Sequence, residues 1–335
     1  MKLNDELKAA EVVAAAVAVV VLSVAGLAGT AMAGGEDAEW KADINLWQGY
    51  TDNVRYAQPG PGVEGAWFTR GNVRLTRRTG SDLAWLPDLV TAAIDGRVFG
   101  ESSTRDSVTL GGRAVYETDV ADLFAGYGYT PQRLRLEDSD GGDDVHYSKH
   151  AVAFGIERKF GVSRAWRIRA LYERDRDEYE SDNDARDSEA WAGRLGLRWH
   201  YHDLFIPRAY FKYIERDAVD DNYDREDVRI EVGFDSKLPA GVEASLRYRR
   251  SDREYVVAGA SGPFGSNSNF GRTDDIDTYR VGLELPLPWV DGLVLEMNYK
   301  YRDSSSSRTS RNYHVNEYGL GLAWGFSNTS KEGWW

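Results

Sequence analysis

Arginines that recur at every second or fourth position are the residues here best placed to do chemistry. Arg167 and Arg169 flank Ile168, Arg247 and Arg249 flank Tyr248, and Arg194 and Arg198 stand four apart. In an extended chain such positions share one face. Each set therefore presents guanidinium groups side by side, a basic ladder that would concentrate anions. Arg208, Arg229 and Arg280 occupy equivalent positions in neighbouring segments, and Arg70, Arg74, Arg113, Lys159, Lys212, Lys300 and Arg302 join them. Acids on the same faces, such as Glu157, Glu173, Glu231, Asp235 and Glu296, are about half as numerous.

Other chemistries are thinly represented. The chain has 5 His and no Cys, so it offers no disulfide framework and no thiolate metal site. His200 and His202 have the spacing of a metal pair, but they fall at a turn, which explains them equally well. His146 and His314 lie among aspartates without a recognisable nucleophile, so no enzyme activity and no cofactor are expected. Asp138, Asp140, Asp143 and Asp144 have calcium-loop spacing, yet the flanking helices and bidentate Glu of such loops are missing. A solvated acidic loop is the alternative reading, and no metal is expected.

The elements that carry the arginines alternate with period two. In Val228–Asp235 the apolar residues Val228, Ile230, Val232 and Phe234 are interleaved with Arg229, Glu231 and Asp235. The pattern recurs in 166–173, 191–199, 207–213, 242–249, 279–285, 293–301 and 318–326. It recurs less cleanly in 41–56, 64–76, 89–99, 107–117, 121–135 and 147–160. That makes about 14 strands, within a range of 12–16. Long acidic or Ser/Gly-rich segments such as 136–146, 174–188, 215–227, 253–275 and 303–313 follow the odd strands, and short turns follow the even ones. Trp and Tyr sit near strand ends on the apolar face, where a membrane barrel carries its aromatic girdles. A soluble sandwich would need both inner faces apolar, whereas here one face of each strand is charged.

Composition sets the outer limits. There are 335 residues, 54 acidic against 41 basic, for a net charge of −13. An acidic balance argues against a nucleic-acid partner. The mean hydropathy of −0.53 excludes a polytopic helical membrane protein. Residues 12–33 carry no charge and end in Ala31-Met32-Ala33, the pattern of a secretory signal peptide, with an uncleaved anchor as the alternative. The expected organisation is a signal peptide over 1–33, a short periplasmic N-terminus over 34–39 and a transmembrane β-barrel over 40–326. Residues 327–335 form a tail or the end of the last strand.

The final strand has a polar residue, a glycine two later, then hydrophobics: Glu317, Gly319, Leu322 and Trp324. In this and in its architecture the chain resembles the Gram-negative outer-membrane β-barrels, in particular porin-like single-chain barrels of about 14 strands. The resemblance implies an all-β, antiparallel up-and-down barrel in the outer membrane. It also implies outer-membrane lipids and lipopolysaccharide as surroundings, and the barrel-assembly machinery as a partner that reads the last strand. The expected function is passive diffusion of small polar solutes, preferably anions, with the arginines as pore-lining groups. The same arginines also fit as cross-strand struts paired with acids. The alternative function is a non-conducting barrel in polysaccharide or surface-protein export, or a structural outer-membrane protein. Either would call on a periplasmic partner subunit.

Overall fold

The structure is a computed structural model that describes residues 40–53, 65–78, 87, 89–99, 107–135, 145–161, 165–179, 187–200, 202, 204–219, 223–255 and 271–327. The expected signal peptide over 1–33, the segment 34–39, the residues after 327 and the candidate calcium loop Asp138, Asp140, Asp143 and Asp144 lie outside the described residues.

Fourteen strands form one closed antiparallel barrel. They are β1 (Trp40–Thr51), β2 (Ala66–Arg78), β3 (Leu89–Phe99), β4 (Ser107–Tyr116), β5 (Asp122–Arg135), β6 (Val145–Phe160) and β7 (Trp166–Tyr179). β8 (Ser188–Trp199), β9 (Ile206–Ala218), β10 (Arg225–Lys237), β11 (Glu243–Tyr255), β12 (Thr273–Pro286), β13 (Leu293–Ser306) and β14 (Tyr313–Ser327) follow. Each strand pairs with its sequence neighbours, and β1 closes on β14 from Lys41 opposite Ser327 to Thr51 opposite Glu317. Closure leaves no unpaired edge, the condition for a sheet to span lipid.

Alternation fixes the two faces. Leu195, Leu197, Phe211, Ile230, Val232, Leu320 and Leu322 point outward and are exposed, as a lipid-facing band requires. Aromatic pairs border this band. Trp166 stacks on Trp199 at 4.9 Å near the short-turn end, and Phe205 meets Phe234 at 5.4 Å. Farther along, Trp191 meets Tyr213 at 5.3 Å, Tyr248 meets Tyr279 at 5.0 Å and Tyr299 meets Tyr318 at 5.1 Å. Six to eight residues separate the two girdles along β7, β8 and β14, or ~20–27 Å at the usual strand rise.

Several strands run past the upper girdle, farther than their hydrophobic alternation extends. β7 continues to Tyr179 and β13 to Ser306, so part of the expected loops 174–188 and 303–313 is strand. The connections left between β9 and β10 and between β13 and β14 are about as short as the turns at the opposite end. The asymmetry of loop lengths is therefore smaller than expected. Above the girdle the outer face turns polar, with Arg174 paired to Glu189 and Arg250 paired to Asp252 and Asp275. Both faces are charged there, which is why alternation does not reveal these strand ends.

Inside, several aromatics depart from the apolar-outward pattern, and three of them pack on glycine. Trp47, Phe68 and Phe124 face inward, and each ring covers a glycine of a neighbouring strand: Gly321, Gly49 and Gly155. A Cβ on any of these glycines would strike the ring. The Trp47 indole N–H also donates to the Glu296 carboxylate across the barrel seam.

A candidate site on the inner wall

The pairing registers place basic residues directly opposite one another. Lys159 is opposite Arg167, Arg167 opposite Arg198, and Arg198 opposite Arg208. Gly233 follows in line, then Arg247, Arg280 and Lys300, and Glu317 ends the row. Seven basic side chains thus occupy one line across β6–β13, broken once by glycine. Neighbouring strands are about 4.8 Å apart. Strands tilt in a barrel, so a row at right angles to them climbs. Lys159 sits one residue from the short-turn end of β6, whereas Lys300 lies midway along β13. A second, shorter row sets Arg194 opposite Lys212 and Lys212 opposite Arg229.

Like charges directly opposite destabilise a sheet, so acids must lie close by. They occupy diagonal positions, and β10 supplies the main ones on either side of Gly233. The Asp235 carboxylate accepts Arg208 and Arg247, each at 3.0 Å, with Arg198 at 3.7 Å. The Glu231 carboxylate accepts Arg249 at 2.8 Å and the Tyr210 hydroxyl at 3.0 Å, with Arg280 at 3.8 Å. On β6, Glu157 holds Arg169 at 2.9 Å and Arg167 at 3.3 Å. Each of these carboxylates serves two or three guanidinium groups, so positive charge remains in excess.

Gly233 is needed for this geometry. A Cβ there would collide with the Leu246 carbonyl and come within 3.0 Å of Arg247 Cγ. Its absence leaves the space across which Arg247 reaches Asp235.

The loop-side end of the wall is paired differently. Lys149 binds Asp175 at 2.5 Å, Arg216 binds Asp177 at 2.6 Å, and Arg272 binds Asp274 at 2.5 Å. Glu173 pairs with Lys212, and Asp227 takes Arg229 and, at 3.4 Å, Arg253. Here acids and bases nearly balance. The opposite arc of the barrel is stripped of bulk: Thr91, Ala93, Gly111, Gly126, Gly128, Ala151 and Ala153 line a cavity of about 340 Å³.

All nine arginines nominated from the sequence, Arg167, Arg169, Arg194, Arg198, Arg208, Arg229, Arg247, Arg249 and Arg280, lie on strands that contribute to the inner wall. Eight of them make ion pairs within it. Arg194 has no carboxylate partner among the described residues and lies 4.2 Å over the Tyr210 ring. The strut reading is met by ion pairs between neighbouring strands, such as Arg208 and Arg247 diagonally with Asp235 and Arg169 directly opposite Glu157, although the long row itself puts Arg opposite Arg. Tyr210, Phe124 and Gly233 were not expected from the sequence. His202 accepts the Leu204 N–H through Nδ1 at 3.1 Å within a turn, and no metal-binding cluster occurs among the described residues. Glu317 ends the basic row and binds Lys300 at 3.1 Å. Gly319 is opposite Gly49 and Leu322 opposite Leu46, while Trp324 donates to the Asp291 carbonyl at 3.2 Å.

Residues 115–326 match a family model described as surface lipoprotein assembly modifier. No curated protein matches the chain. Among solved structures it is similar to a loop L8 deletion mutant of OmpT, an outer membrane protein of Vibrio cholerae. That similarity has 11% identity and a TM-score of 0.51 over 86% of this chain and 99% of that one. It is also similar to the outer membrane channel DcaP of Acinetobacter baumannii, with 13% identity and a TM-score of 0.49 over 87% and 97% of the two chains. At 11% identity the likeness to OmpT is one of fold. The matched span begins at the end of β4 and takes in every strand of the long basic row.

Proposed function

The chain belongs to the surface lipoprotein assembly modifier family of outer-membrane barrels, and from that premise we propose that it acts in placing lipoproteins on the outer face of the outer membrane. The observation that carries this reading is the extent of the family match, which spans β5–β13 whole, β14 as far as Phe326, and the row they build. On this reading the chain is not an enzyme and holds no cofactor. The barrel provides the membrane passage, and a periplasmic partner delivers the cargo. Depleting the chain in its native cell and digesting surface proteins with external protease tests it. The reading predicts that lipoproteins shaved from normal cells become protected, and that re-expressing the chain restores their cleavage. Unchanged cleavage after depletion contradicts it.

A second reading has its own support. Charged groups in a dry interior carry penalties of several kcal/mol each, so the excess arginines favour a hydrated lumen. A basic wall concentrates anions and lowers their barrier. On this reading the barrel passes small anions by diffusion along the climbing row. Both readings use the same wall and differ in whether a protein cargo is required.

A further inference from the structure

Two guanidinium groups away from the basic row lack an ion pair of their own: Asp43, opposite Arg74, binds Lys41, and Glu157 binds Arg167 and Arg169 rather than Arg113. Arg74 on β2 and Arg113 on β4 both line the cavity of about 340 Å³, and neither has an ion-pair partner among the described residues. The Arg113 guanidinium is held 4.4 Å over the Phe124 ring, and Arg169 lies 4.9 Å from that ring as well. The ring is itself fixed by its contact with Gly155. Arg113 Nε is buried without a hydrogen-bond acceptor. The two carboxylates on the cavity wall do not fill the gap, because Glu173 is engaged by Lys212 and Asp175 by Lys149.

The rest of the lining is small. Ala93, Ala151, Ala153 and Val115 offer apolar surface, with Thr76 and Thr91 bonded to each other at 3.0 Å. The volume is at the lower end of the range for sites that hold a small organic molecule. Paired guanidinium groups recognise oxyanions through parallel N–H bonds.

We propose that this cavity is a binding site for a small organic acid, whose carboxylate or phosphate head meets Arg74 and Arg113 and whose compact apolar body rests on the alanine and glycine floor. The site is separate from the basic row and does not depend on whether the barrel assembles lipoproteins or conducts.

The test is calorimetric titration of the folded protein, purified from membranes in detergent, with benzoate, phenyl phosphate and the uncharged benzyl alcohol. Benzoate or phenyl phosphate, or both, will bind saturably, and the stronger of the two identifies the head. Benzyl alcohol will not bind. Arg113→Gln and Arg74→Gln will each weaken binding tenfold or more, and Arg113→Lys will recover part of the loss. Ala153→Leu, which fills the cavity without altering a charge, will abolish binding. Arg280→Gln, in the basic row, will leave it within about twofold. Heat-dependent gel migration shows that each variant is folded before titration. No saturable binding by either acid, equal binding of benzyl alcohol, or binding undiminished in Arg113→Gln and Ala153→Leu would overturn the proposal.

Discussion

The two arcs of the inner wall solve one constraint in opposite ways. β6–β13 fill their side with long basic side chains, and β3–β6 clear theirs with Gly, Ala and Thr. Both arcs share the same alternation and the same apolar exterior, so lipid contact does not account for the difference. What separates them is charge and volume on the inward face. Around β10, Glu231 and Asp235 gather arginines from β8, β9, β11 and β12. Around β4, no ion pair links β4 to β5 among the described residues; Thr109 bonds Thr130 at 2.7 Å, and Arg113 and Val115 pack on the Phe124 ring.

The largest expected effect comes from inverting the charged arc. Replacing Arg198 and Arg280 together by Glu puts acids into the long row on either side of the β10 carboxylates. The ion preference measured across a bilayer should move toward cations by a factor on the order of ten. The same exchange at Arg174, outside the wall, should not move it.

Next in size is loss of the acidic hub. Asp235→Asn leaves Arg198, Arg208 and Arg247 without their shared carboxylate. Between the values for exposed and buried pairs, the cost is about 2 kcal/mol. It should be read as a lower unfolding temperature by heat-modified migration, and raised salt should restore part of it.

The smooth arc should answer to volume instead. In Gly155→Ala the added methyl meets the Phe124 ring and the Ala170 carbonyl. Overpacking of this kind costs about 1–2 kcal/mol, and unlike Asp235→Asn it should be insensitive to salt. The smallest effect belongs to Arg174→Ala, which removes an exposed pair with Glu189 on the outer face. The unfolding midpoint should stay where it is.

The sequence carried the fold and the face of most charged residues on the cleanly alternating strands, but not who stands opposite whom. Val228–Asp235 on β10 displays its two faces by alternation alone, so Arg229, Glu231 and Asp235 were legible as inward. The row from Lys159 to Lys300 was not, because it depends on how each strand slides against the next. A shift of one residue would have set arginines opposite apolar positions. The strand ends near Asp175 and Asp177 were hidden because Arg174 and Arg176 on the outer face are charged as well. Trp47 and Phe124 were missed for a related reason: each has apolar neighbours in sequence, so alternation does not say which ring turns inward. Gly233 reads as a weak point in a strand until the reach of Arg247 to Asp235 explains it.

The claim that the basic row lines a water-filled passage is tested most directly by the reversal potential of the purified barrel in a planar bilayer under a salt gradient. The account predicts stable conductance steps with anion preference, reduced in Arg247→Glu. A preference for cations, or a folded barrel that never conducts, would contradict it.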